Sequence, residues 1–191
     1  FGVNQVAQLQ TVDDADGTLD PEEIAHLVEG AGHRWPPPGA VCVENTHLAS
    51  GGRPWPLDRL LEVADAGVPI HLDGARLFNA SVAADVRVED YSAPATLVTA
   101  CLSKGLGAPA GSLLSGPADL IARARLERKR LGGGMRQVGI LAAAGLVALD
   151  TMVERLADDH VRARRLAEAV AERWPESGCD PSAIETNVVL F

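Results

Sequence analysis

Three short apolar runs, AVCVE, VPIHLD and TLVTACL, are each followed by a loop rich in glycine and polar residues, and helix-like stretches lie between them. This alternation constrains the fold more than any other feature. VAQLQTV precedes DPEEIAHLVE, AVCVENTH precedes PLDRLLEVADAG, and VPIHLDGARL precedes TLVTACLSKG, so the pattern predicts crossover units on a largely parallel sheet. Asp20 suits a helix cap and Pro21 the first helical position. From Pro117 the character changes to long helical segments, PADLIARARLERKRL, MRQVGILAAAGLVALDTMVERL and DHVRARRLAEAVAERW, before a strand-like NVVLF.

Parallel sheets place their chemistry where loops leave the carboxyl ends of strands. The loops from Glu44 to Gly52, from His71 to Leu77 and from Leu102 to Gly111 are all expected to open on one edge. Asp73 and Lys104 lie about one crossover unit apart, which places them across neighbouring or nearby strands. An aspartate at one strand end and a lysine at another meet the needs of a pyridoxal phosphate site. The lysine amine forms an imine with the cofactor aldehyde, favoured by partial desolvation or a nearby cation. The aspartate keeps the pyridine nitrogen protonated, so that negative charge on the substrate drains into the ring. Arg76 has the fork geometry for the cofactor phenolic oxygen or a substrate carboxylate.

Taken singly, these residues keep duller readings. Asp73 serves equally as the cap of a short helix beginning near Ala75, and Lys104 equally as a strand-end lysine reaching water. His47 reads as a loop histidine and Glu44 as a loop-orienting carboxylate, while His26, His33 and His160 read as surface residues. Met135 and Met152 read as helix packing, and AAAGLVAL as a buried helix with small residues at a close contact.

Composition removes several function classes. A net charge of -9 disfavours a phosphate backbone or an anionic membrane as partner. The basic cluster Arg123, Arg125, Arg128, Lys129 and Arg130 reads as a solvated helix face. No apolar run reaches the roughly 20 residues needed to span a bilayer, and FGVNQVAQL lacks the order of a signal peptide, so a soluble cytoplasmic protein is expected. Cys42, Cys101 and Cys179 have neither disulfide nor metal-ligand spacing, and the first two read as small buried hydrophobes. GLGAPAG is no nucleotide loop, because the lysine precedes the glycines.

ENTH followed by GG, HLDGARL followed by Asn79 and Ala80, LSKGLGAPAGS, and RKRLGGGMRQ followed by GILAAAGLVAL resemble, in order, the signature segments of low-specificity L-threonine aldolases. These segments span roughly Val41 to Leu149. The resemblance implies an α/β, PLP-dependent transferase-like large domain of the aspartate-aminotransferase type, with a mostly parallel sheet, flanking helices and truncation at both ends. Residues 1–155 are then part of the cofactor-binding domain, and 156–191 a linking helix and the start of a small carboxyl-terminal domain.

By the same resemblance Lys104 is the imine lysine, Asp73 the pyridine-nitrogen partner, Arg76 the neighbour of the phenolic oxygen and Ser103 a neighbour of the phosphate. His47 lies near the substrate hydroxyl, and Lys129 and Arg136 match basic residues near cofactor or substrate. Gly132, Gly133 and Gly134 allow a sharp turn. The implied reaction is cleavage of threonine, or another 3-hydroxy amino acid, to glycine and an aldehyde, with no metal, in a homodimer or homotetramer. An aminotransferase, a beta-eliminating lyase and a non-catalytic interaction module stay open. As a middle portion of such an enzyme, this chain alone is expected to hold cofactor poorly.

Overall fold

A computed structural model describes residues 8–14, 16–33 and 36–191. Strands β1 (Val41–Glu44), β2 (Ile70–Gly74) and β3 (Leu97–Cys101) lie side by side in parallel, and β4 (Ser112–Ser115) returns antiparallel along β3. Helix α1 (Pro21–Glu29) precedes the sheet, α2 (Leu57–Asp65) joins β1 to β2, and α3 (Leu77–Ala84) and α4 (Val88–Ser92) join β2 to β3. The helices α5 (Ala118–Arg130), α6 (Gly139–Thr151) and α7 (Leu156–Arg173) follow β4.

Local chemistry explains the start of α1. Asp20 caps it by accepting the Glu22 amide at 3.0 Å, and Pro21 sits in its first turn, as the sequence predicts. Alternation in β1 and β2 then decides which sheet face is covered. Val41, Val43, Ile70 and Leu72 turn into a core with Ile24 of α1, Leu60 and Val63 of α2, Leu77 and Ala80 of α3 and Tyr91 of α4. Cys42, Glu44, His71 and Asp73 turn the other way and are exposed or half-buried.

That open face corrects two expectations. Cys42 is exposed and Cys101 half-buried, while Cys179 is the buried cysteine, because the register puts Cys42 and Cys101 among the residues that no helix covers. For the same reason β3 is half-buried along its whole length.

Other elements also differ from the sequence reading. β4 and α4 are additional elements, each too short to carry a clear period. The segment from Met135 to Leu156 is helical only over Gly139–Thr151, and its last residue, Leu156, opens α7 instead. Gly132 and Gly134 take positive φ of 83° and 152°, a reversal that a side chain would strain, and this ends α5 sharply. Of the run VAQLQTV, Val6 and Ala7 lie outside the described residues, and Gln8–Val12 forms no strand. NVVLF forms none either; its neighbour Thr186 is held by a side-chain bond rather than a ladder. Met135 is exposed, and only Met152 packs in a core. Within α6 only Gly145 and Ala148 are buried.

Two further cores lie among the described residues. Leu102, Leu106, Ala108, Ala148 and Leu156 gather the loop after β3 onto α6 and the start of α7, and Ala163, Ala167, Val170, Cys179 and Ile184 join the rest of α7 to the segment after it. No helix among the described residues is long and apolar enough to cross a membrane.

Candidate active site

The sheet order places β2 between β1 and β3, so Asp73 occupies a central strand with the His47 loop on one side and the Lys104 loop on the other. Its register partners are Glu44 and Thr99. Because the three strands are parallel, all three loops leave the same edge, as the sequence predicts. Asp73 and Lys104 thus stand at the ends of adjacent strands, Lys104 three positions past the end of β3.

Asp73 is exposed, and one carboxylate oxygen accepts the Ala75 amide at 3.1 Å. This bond shapes the turn but does not cap α3, which begins at Leu77. The second oxygen is left for another partner. Asp73 also acts on the thiol of Cys42, which burial first and the carboxylate second push above its ordinary range. Across the strand, His71 Nε2 lies 3.0 Å from the Thr99 hydroxyl.

Lys104 is exposed, and its amine makes no hydrogen bond or ion pair among the described residues. Its loop is nevertheless ordered by its own backbone: Leu102 donates to Gly111 at 2.9 Å, Gly107 to Lys104 at 2.9 Å and Ala108 to Leu102 at 3.0 Å. Ser103 lies 3.4 Å from the Cys101 sulfur. Burial would raise the Cys101 thiol, but hydrogen bonds from Ser103 and the Lys104 charge outweigh it and hold the thiol below its usual range.

Arg76 is half-buried, and its Nε is buried with no hydrogen-bond partner. A buried guanidinium nitrogen without an acceptor is costly unless an anionic group fills the place. A free amine at Lys104, an uncommitted carboxylate oxygen at Asp73, the unpartnered Arg76 Nε and the Ser103 hydroxyl together suit a phosphorylated aldehyde bearing a basic ring nitrogen.

The His47 loop is held from three directions. Asn45 donates its amide to the Asp73 carbonyl at 2.9 Å and accepts the Trp55 amide on its side chain at 3.2 Å, and Tyr91 donates its hydroxyl to the Trp55 carbonyl at 2.7 Å. From the far end of the chain, Thr186 donates to the Gly52 carbonyl at 2.6 Å and Glu185 pairs with Arg53 at 3.3 Å. From the near end, Asp14 lies 3.4 Å from His47 Nε2. His47 Nδ1 is buried with no hydrogen-bond partner among the described residues, and Nε2 is the nitrogen that faces Asp14.

The structure does not bring every expected residue together. Lys129, in the last turn of α5, and Arg136, on the turn between α5 and α6, are both exposed, and neither side chain makes a hydrogen bond or ion pair among the described residues. α5 has no buried residue, which agrees with a solvated basic face.

Sequence reasoning missed Asn79 and His160. Asn79 is 3% exposed in α3, and its Nδ2 donates to His160 Nε2 of α7 at 3.0 Å. His160 is therefore half-buried rather than a surface residue. One signal was readable: His160 falls on the stripe Leu156, Ala163, Ala167, Val170 that buries α7.

A family model described as beta-eliminating lyase matches residues 2–189. Low-specificity L-threonine aldolase 1 of Arabidopsis thaliana is 43% identical over 182 residues, which is 92% of this chain and 51% of that protein. The low specificity L-threonine aldolase of Escherichia coli strain K12 is 40% identical over 180 residues, 92% of this chain and 52% of that protein. The chain thus spans about half the length of the curated relatives it matches. Among solved structures, the threonine aldolase of Leishmania major superposes with a TM-score of 0.71 at 20% identity, covering 91% of this chain and 52% of that one. That likeness shows the fold: an α/β domain of the threonine-aldolase type.

Proposed function

The chain belongs to the beta-eliminating lyase family, and from that premise we propose that it forms the catalytic portion of a pyridoxal phosphate-dependent aldolase acting on L-threonine and L-allo-threonine. The products are glycine and an aldehyde. One observation carries this reading: β2 sets Asp73 between the loops of His47 and Lys104, on the edge where all three parallel strands end.

Pyridoxal phosphate, when bound, supplies a ring that accepts the electron pair released as the bond between the alpha and beta carbons breaks. Each residue then has a defined task. Lys104 offers its amine as the covalent anchor for the aldehyde, and Asp73 holds a proton on the ring nitrogen with its uncommitted oxygen. Arg76 donates from its unpartnered Nε to the phenolic oxygen or to a substrate carboxylate, and Ser103 donates to the phosphate. His47 takes the proton of the substrate side-chain hydroxyl, with Asp14 beside its ring to balance the charge.

The assembled protein is a cytoplasmic homodimer or homotetramer in this reading. The apolar face of α6 supports it, with Ile140 80%, Leu146 63% and Val147 61% exposed. Exposed and unpaired, Lys129 and Arg136 are available as anion ligands of the assembly. Residues 156–191 begin a second domain, supported by the separate core around Ala167 and Cys179.

Beta-elimination is the second reading, favoured by the family model, and the same lysine and aspartate serve it. One experiment tests both. The chain is incubated with pyridoxal phosphate, passed through gel filtration, and compared with Lys104→Ala for retained visible absorption; retained cofactor is then challenged with threonine. Weak absorption confined to the unmutated protein is expected of this portion alone, with glycine and acetaldehyde released in equal amounts. Ammonia and a keto acid in their place would move the assignment to elimination, and retention by Lys104→Ala would remove the lysine from its role.

A further inference from the structure

Beneath the Lys104 loop lies a hydrogen bond with no part in the chemistry above. Asn79 Nδ2 donates to His160 Nε2 at 3.0 Å, joining α3 to α7 across 81 positions of sequence. Asn79 is among the few buried polar residues, so loss of its partner leaves an amide group unsatisfied. Gly105, the residue after Lys104, rests on this junction. A Cβ at position 105 would meet Leu156 Cδ2 at 2.6 Å and the Asn79 side-chain amide at 3.7 and 3.9 Å. Leu156 is 1% exposed and lies one helical turn before His160. The loop therefore sits directly on the two helices that the bond ties together, and Leu102, Leu106 and Ala108 of that loop share a core with Leu156.

We propose that Asn79 and His160 are positioning residues for Lys104: their hydrogen bond fixes the spacing of α3 and α7 under Gly105 and so fixes the floor on which the lysine loop is built. The assignment of a reaction to Lys104 rests on the function proposed above, but the mechanical link does not.

His160→Leu fills similar space and removes the acceptor, whereas His160→Gln restores one through its amide oxygen. Amide hydrogen exchange is read at Gly107 and Ala108, whose bonds to Lys104 and Leu102 close the loop. His160→Leu is expected to speed exchange at both about tenfold relative to the β1 and β2 amides, with His160→Gln restoring the slow rate. Exchange that rises equally everywhere, or only within α3 and α7, would show a merely structural bond and overturn the proposal. Should His160→Leu fail to fold, Asn79→Asp provides the second test. A carboxylate at position 79 must accept, so it should favour the protonated ring and raise the His160 pKa in a histidine NMR titration. An unmoved titration would mean that the bond does not exist. Neither measurement requires cofactor, so a failed aldolase assay leaves the loop coupling testable, and a failed exchange experiment leaves the function untouched.

Discussion

The Thr186 hydroxyl and the Gly52 carbonyl are 2.6 Å apart and 134 positions apart in sequence, and this bond anchors the closing end of the His47 loop to the last part of the chain. Thr186 is fully buried, so Thr186→Val keeps the shape but leaves the Gly52 carbonyl without a donor. The cost should be about 1–3 kcal/mol, read as a lower urea midpoint. Amide exchange at Gly52, which donates to the His47 carbonyl at 2.8 Å, should rise with it.

The two cysteines of the open sheet face should differ in reactivity. The Cys101 thiol titrates below its ordinary value and the Cys42 thiol above it, so near pH 8 more of Cys101 is thiolate. Peptide mapping after brief iodoacetamide treatment should find Cys101 alkylated first. Asp73→Asn removes the charge that adds to the rise at Cys42 and should speed its alkylation about twofold, leaving Cys101 unchanged. Equal rates at Cys42 in both proteins would show that the Asp73 carboxylate does not face Cys42.

Acid should weaken the contact between α3 and α7. Burial depresses the His160 pKa below its ordinary 6.5, while Asp159 pulls weakly the other way and α3 contributes no ionisable side chain. Above 6.5 the ring is neutral folded or unfolded. As pH falls from there, the unfolded chain takes up a proton that the folded chain resists, so stability present at neutral pH is lost down through the folded-state pKa. With the ring only half-buried, the loss should stay under about 1 kcal/mol. Urea midpoints measured between pH 7 and 5 should fall less steeply in His160→Gln.

A charge on α6 should disturb association. Ile140→Glu places a carboxylate at the most exposed of the helix's large apolar residues, where no intrachain contact needs the isoleucine. Sedimentation should show a shift toward monomer with the urea midpoint within about 0.5 kcal/mol of the parent. An unchanged mass would remove this face from the interface.

How much of this was readable depended on how local each cause is. The Asp20 cap, the Pro21 start and the strands in AVCVE and VPIHLD are set by neighbours in sequence, and the structure has them as read. The common edge for the loops of His47, Asp73 and Lys104 followed from a parallel sheet once the strands were identified. What period 2 cannot say is which face something covers, and so Cys42 and Cys101 were misjudged. SLLS is too short to distinguish from a turn, so β4 went unread. His160 lay on a visible apolar stripe, but its partner Asn79 is on another helix, and no local pattern joins them.

The antiparallel return of β4 has a kinetic consequence. Cys101 pairs with Ser112, so the Lys104 loop closes as a local hairpin, at little cost in chain entropy. Asp73 reaches β3 only through the crossover that contains α3 and α4, and the Thr186 anchor waits for nearly the whole chain. Refolding should therefore shape the lysine loop first and give it its aspartate neighbour later, with the histidine loop fixed last.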